Sequence, residues 1–310
     1  MSSINNFTVI FLSILIEAMP FMLIGAIVSA LIEVFISPEV IYRFLPKNKI
    51  MSIFLCGLMG IVFPVCECAI VPVVRRLVKK GVPFSSALTF MLSVPVLNPV
   101  VLSSTFIAFY PDKRIAILRG IMGYIVAVSS GIIWHRFFKD SISMEEKYCF
   151  HSCCHDHSNH DHTVTDHTGQ FKHKKNGVNI MLLLDHAVEE FFDTGKYLIA
   201  GSIFAALMQT FIPREMITNM GMSPLVITVF MMALAYVLSI CSEADAFVAR
   251  SFASILKNTD TIPFLVYGPV LDIKLTFMLM GAFEKKSVLK IMFIVTFLVF
   301  LITLPAVILR

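Results

Sequence analysis

Charge is what this chain has little of. Of its 310 residues, 25 are Lys or Arg and 21 are Asp or Glu, together 15% of the sequence, against the ~25% usual for soluble domains. A water-soluble fold needs charge on its outer surface, so a sequence that is 57% hydrophobic, with 28 Phe and 18 Met, belongs in another solvent. The motifs of soluble chemistry are missing too. No Ser-His-Asp arrangement, Walker loop, HExxH or glycine-rich dinucleotide pattern occurs, so hydrolysis, ATP-driven transport in cis and redox catalysis find no support, and the chain reads as a carrier and not an enzyme. There is no basic-aromatic platform either. The net charge of +4 is spread through short loops, which argues for membrane orientation and against nucleic acid as a partner. Seven cysteines, an odd number, do not make the disulfide framework of a small secreted domain and read as free thiols, some of them ligands. The first apolar segment, 4–36, contains Glu17 and Glu33. It is too long for a signal peptide and has no small-residue cleavage site, so it stays in the membrane.

What is present is apolar sequence in long runs, at about 4–36, 50–77, 84–110, 115–137, 180–212, 225–250, 262–283 and 288–309. Each is near or above the ~20 residues that cross a bilayer as a helix. None alternates with period two, and only helices or closed barrels satisfy the backbone in lipid, so the fold class is an all-α integral membrane protein with about eight hydrophobic helical units. The bilayer is the first partner, and the expected location is the cell membrane, crossed several times. Fifteen of the charged residues lie between His135 and Glu190, which sets the domains: a first transmembrane repeat at 1–138, a His/Cys-rich linker at 139–178 and a second transmembrane repeat at 179–310.

The order of features occurs twice. Gly25-Ala26-Ile27-Val28-Ser29-Ala30-Leu31 resembles Gly201-Ser202-Ile203-Phe204-Ala205-Ala206-Leu207, and at nearly the same offset Glu67 meets Glu243 and Pro95-Val96-Leu97-Asn98 meets Pro269-Val270-Leu271-Asp272. Two related halves with a substrate site between them are a transporter pattern. If the units at 84–110 and 262–283 are re-entrant, the repeats are inverted; if all eight span, they are parallel. Lys and Arg placement favours a cytoplasmic N-terminus and linker.

The chemistry concentrates at the helix breaks. In Phe63-Pro64-Val65-Cys66-Glu67-Cys68-Ala69-Ile70-Val71-Pro72, two thiols and a carboxylate sit at membrane depth. On a regular helix Cys66 and Cys68 point about 200° apart, so they can share one ion only where the helix is unwound. The prolines free carbonyls and supply that break. Thiolates select soft, thiophilic ions, which makes Cys66, Glu67 and Cys68 candidate substrate ligands for a metal or metalloid; the bland alternative is that the cysteines are small apolar fillers. Cys241-Ser242-Glu243-Ala244-Asp245 is the counterpart, with Cys241, Glu243 and Asp245 as candidates and with structural pairing to Arg250 or Lys274 as the competing account. Pro95 and Pro269 divide their units and present Asn98 and Asp272, either to the pathway or as caps of half-helices.

The linker holds His151, Cys153, Cys154, His155, His157, His160 and His162, and seven of the nine histidines fall between His151 and His173. Imidazole, thiolate and carboxylate at this density bind zinc or another transition metal, without fixed zinc-finger spacing. No cofactor is required by the core. An incidental solvated linker is the alternative.

At Cys66, Cys68, Pro72, Arg75, Arg76 and then Pro95, Asn98, Pro99, the chain resembles the predicted permeases of the ArsP/YraQ type, over essentially its whole length. The resemblance implies an eight-helix permease. Some members export trivalent organoarsenicals; others are associated with zinc-responsive genes and a companion membrane subunit, and the Cys-Glu-Cys form with a His-rich loop is closer to these. The function expected is a membrane permease moving a zinc-type metal ion or trivalent arsenical, by export and with proton coupling. The alternative is a non-transporting membrane subunit that anchors or supplies metal to a partner.

Overall fold

The computed structural model describes residues 2–35, 46, 48–63, 66–138, 180–211, 223–253 and 256–308. The linker histidines and cysteines fall outside the described residues. The described chain forms twelve α-helices and two short 3-10 turns. In chain order the helices are α1 (Ser2–Phe35), α2 (Lys49–Leu58), α3 (Glu67–Lys79), α4 (Phe84–Leu97), α5 (Pro99–Ala108), α6 (Arg114–Phe137), α7 (Ile180–Phe211), α8 (Pro224–Leu238), α9 (Asp245–Phe252), α10 (Ile262–Val270), α11 (Ile273–Ala282) and α12 (Lys285–Ile308). No strand occurs among the described residues. Among the described residues, five helical stretches are long and apolar enough to cross a membrane: Asn5–Leu31, Phe84–Ala108, Arg114–Phe137, Asn258–Ala282 and Lys285–Ile308. Lys49–Ile61 and Pro224–Leu238 are shorter apolar helices.

Two of these stretches are divided, each for a readable reason. Pro95 and Pro269 sit near the ends of α4 and α10 without an N–H to donate, so each helix loses a rung before it stops. The next helix then starts from a side-chain cap. Asn98 Oδ1 accepts from the Val100 backbone N–H at 2.9 Å, with Pro99 in the first turn of α5. Asp272 Oδ1 accepts from the Leu275 N–H at 2.6 Å to open α11. Every residue of α4 and of α10 is buried. α4 and α10 therefore form the centre of the bundle, and residues such as Phe293 on α12 and Ile16 on α1, 75% and 72% exposed, provide its apolar outer surface.

Packing around the two centres runs in parallel. α4 lies against α2 and α6, and α10 against α8 and α12. α3 crosses to pack on α11, and α9 crosses to pack on α5. α1 and α7 lie side by side, α1 also on α3 and α7 also on α11. Glycine makes these last two approaches possible. A Cβ at Gly25 would fall 2.6 Å from the Ala69 carbonyl oxygen in α3, and one at Gly201 would fall 2.8 Å from Lys274 Cα in α11. Both are closer than real side chains come, so α1 and α7 are each seated against a helix that starts at a break.

Candidate functional site

The site is built from helix starts. Cys66 immediately precedes α3 in an extended conformation, φ −80° and ψ 173°, and its carbonyl accepts from the N–H groups of Ala69 and Ile70. With Cys66 outside the helix and Cys68 in its first turn, the divergence a continuous helix would impose is lifted, and the two thiols are in hydrogen-bonding contact. Cys66 also contacts Cys241, which lies in the non-helical connection between α8 and α9. Cys241 in turn contacts the Glu17 carboxylate of α1. The connection is shaped by Ser239, a non-glycine residue in the left-handed region at φ 45°, a conformation that commonly terminates helices. Its hydroxyl accepts from the Ile273 N–H at 3.1 Å, tying the Cys241 segment to the start of α11.

Glu67 stands in the first turn of α3 and is 1% exposed. Its Oε2 accepts from Ser242 Oγ at 3.1 Å. Its Oε1 lies 3.8 Å from Lys274 Nζ, which is also 3.6 Å from Asp272 Oδ2. Neither of these two carboxylate oxygens has a hydrogen-bond partner among the described residues. A small cavity of about 10 Å³, room for about one water molecule, is lined by Ile14, Glu17 and Ala18 of α1, by Cys66, Glu67 and Cys68, and by Cys241 and Lys274. Glu17 is exposed at its edge, whereas Glu67, both Cys66 and Cys68, Cys241 and Lys274 are buried.

The remaining acidic candidates stand apart from this cavity's lining. Asp245, at the start of α9, is clasped by Arg119 of α6, with Nη1 to Oδ1 at 2.8 Å and Nη2 to Oδ2 at 2.7 Å. Arg119 also donates to the Ser242 carbonyl at 3.2 Å and to Thr105 Oγ1 at 2.7 Å. It is fully buried. The competing account, structural pairing, holds for Asp245 with another partner than Arg250 or Lys274: Arg250 donates to Asn258, and Lys274 lies beside Glu67 and Asp272. Glu243 is half-buried. Asn98 caps α5, is buried, and leaves its Nδ2 without a hydrogen bond among the described residues. Asp272 both caps α11 and reaches Lys274. Among the described residues, no group of three or more His, Cys, Asp or Glu side chains is gathered as a ready-made metal cage. The thiols instead form a chain of contacts, Cys68 to Cys66 to Cys241 to Glu17.

Sequence reasoning does not put Glu17, Ser242 or Arg119 among the site residues and treats Lys274 only as a structural partner. For Glu17, Arg119 and Lys274 a signal exists: each is a charge inside an apolar run, and charges at membrane depth face partners or cavities.

Long apolar helices, two divided units whose first halves, α4 and α10, are buried throughout, and an apolar outer surface define a multi-pass membrane protein. The chain belongs to the ArsP_1 family of predicted permeases, which it matches over residues 3–308. It is 42% identical over 289 residues to a Streptococcus mutans protein named as a subunit of a two-component membrane permease complex, covering 93% of this chain and 91% of the relative. It is 40% identical over 287 residues to the UPF0718 protein YcgR of Bacillus subtilis, covering 93% and 92%. No solved structure matches the chain.

Proposed function

We propose that this permease exports a thiophilic species, a trivalent arsenical or a zinc-type metal ion, through the cavity where Cys66, Cys68 and Cys241 meet. One observation carries the reading: three buried thiols, drawn from two separate helix breaks, converge with a buried carboxylate on one small cavity. Soft centres exchange between neighbouring thiols, and a chain of contacts suits a cargo that must leave as well as enter. The parallel packing of α4 and α10, together with the matching roles of Gly25 and Gly201, supports the internal repeat. In this reading the repeat puts the cargo between two halves that rock against one another.

Glu243, half-buried beside Cys241, is the proton-coupled carboxylate, and the linker residues from His151 to His162 collect zinc or another transition metal before transfer. The S. mutans relative's name supports a companion membrane subunit, and exposed Glu17 on α1, a carboxylate at membrane depth, gives such a subunit a polar group to cover. In everted membrane vesicles the protein should accumulate a trivalent arsenical or Zn²⁺ against a pH gradient. Glu243→Gln should transport without that pH dependence. Vesicles that bind cargo but never accumulate it would favour the alternative, a metal-supplying subunit that does not itself transport.

A further inference from the structure

The outward face of α12 changes character along its length. Lys286, Lys290, Phe293, Phe297 and Phe300 recur at intervals of three or four, which puts them on one side of the helix. They line two adjoining open grooves. One, of about 690 Å³, lies at Lys286 and Lys290; the other, of about 440 Å³, is walled by Met232 and Tyr236 of α8 and Tyr267 of α10. Phe293 and Thr296 line both, so the two form one channel along the surface.

Its basic end has no counter-ion. The helices α8, α10 and α12 contain no Asp or Glu, and no ion pair among the described residues includes Lys286 or Lys290. Glu284, just before α12, does not line the groove. Lys290 is steadied at the mouth by Phe138, at the end of α6, whose ring centre lies 4.8 Å from the ammonium. The other end is apolar because its hydroxyls are used on one another: Tyr267 and Thr296 stand 2.7 Å apart, and Tyr236 and Thr276 3.2 Å apart. Length then separates the possible occupants. Residues 290 to 300 rise about 15 Å along the helix, half of the ~30 Å hydrocarbon core. Beyond Phe300 the stripe closes, since Thr303 and Val307 are buried. A partner's transmembrane helix would need the whole ~30 Å, whereas an acyl chain needs one leaflet.

We propose that this groove is a binding site for an anionic phospholipid, with its phosphate at Lys286 and Lys290 and an acyl chain along Phe293, Phe297 and Phe300. The site is separate from the thiol cavity and does not depend on the transport reading. A lipid seated there bridges α12 to α8 and, through Tyr267, to the buried α10. The molecule carries its own control. A second outward groove, of about 540 Å³ between α5 and α6, is lined by Phe106 and Ile117 among others and by no charged residue. Bulk lipid wets both grooves, but selection of an anionic headgroup needs the lysines.

Native mass spectrometry of the full-length protein in detergent, titrated with phosphatidylglycerol or with phosphatidylcholine of the same acyl chains, tests this. The wild type should bind its first phosphatidylglycerol about tenfold or more tightly than its first phosphatidylcholine, each lysine being worth about fivefold. Lys286→Gln combined with Lys290→Gln, two exposed positions, should reduce the preference to about twofold or less. Ala233→Phe, which fills the apolar end and keeps both lysines, should weaken phosphatidylglycerol binding, and Ile117→Phe in the uncharged groove should not. Equal affinity of the wild type for the two lipids, or a preference that survives in the double Gln variant, would overturn the site. So would a photoreactive residue placed at Phe297 that, in native membranes, crosslinks to a polypeptide and not to lipid, since the groove would then belong to a companion subunit.

Discussion

The two divided units use the same local chemistry and end with different electrical surroundings. Both lose a backbone rung to a proline, Pro95 or Pro269, and both restart from an oxygen cap, Asn98 or Asp272. At the first break the cap is neutral, buried and away from the cavity. At the second it is charged and holds Lys274, which reaches across to Glu67 of α3. The helices that cross over differ in the same way. α3 starts with Glu67 turned to the cavity, whereas α9 starts with Asp245 sealed by Arg119. One local design thus has two outcomes: at α9 the carboxylate is closed by two hydrogen bonds from Arg119, and at α3 and α11 one oxygen of each carboxylate is left without a hydrogen bond among the described residues. Burial alone does not separate the two, since Asp245 and Glu67 are both almost fully buried; the number of hydrogen bonds each carboxylate accepts does.

Removing a partner from the sealed cluster should have the largest effect. Arg119→Met leaves Asp245 buried and uncompensated, a change worth about 3–5 kcal/mol of stability, and should sharply lower the melting temperature of the detergent-solubilised protein. Arg250→Ala, which removes only an exposed contact with Asn258 and a ring contact with Phe109, should alter stability by about 1 kcal/mol or less. Equal losses would erase the distinction between scaffold and surface pairs.

At the unsaturated cluster the effect should fall on function. Cys66→Ser and Cys68→Ser should each reduce vesicle transport by roughly tenfold or more, since a hydroxyl is a poor ligand for soft centres. Cys56→Ser should not, because Cys56 is buried in α2 and is absent from the cavity lining. Transport rates of the three variants, normalised to protein level, decide this; equal tolerance would return all the thiols to packing.

The smallest effect belongs to the neutral break. Asn98→Ala removes one helix cap and should cost about 1 kcal/mol, read from the same melts, with Cys66-dependent binding of a trivalent arsenical preserved. Loss of binding would place Asn98 in the pathway.

Much of this architecture is legible in the amino-acid sequence. Composition requires lipid, proline positions locate both divided units, and the crowding of thiol and carboxylate around Cys66 marks the break that precedes α3. Partner choice is not legible. Arg119 and Asp245 are 126 residues apart, and Glu67 and Ser242 are 175 apart; nothing local distinguishes Arg119 from Arg250 as the ion that closes on Asp245. Asn98 reads from sequence as a cap or as a pathway residue, because a side-chain oxygen at a break serves either role; the structure shows the cap, with Oδ1 accepting from the Val100 N–H. Lys274 is visible as a charge in an apolar run, but its meaning depends on α3 crossing to α11, which is a property of packing.

If thiols from two separate breaks act on one cargo, a reagent that bridges neighbouring thiols should join them. Phenylarsine oxide is such a reagent, and one equivalent added to the protein, followed by digestion and mass spectrometry, reads the outcome. An arsenic bridge should link the peptide that contains Cys66 and Cys68 to the peptide that contains Cys241, and it should be lost in Cys241→Ser. Adducts confined to Cys149, Cys153 and Cys154 of the linker, with Cys66, Cys68 and Cys241 unmodified, would contradict a shared site.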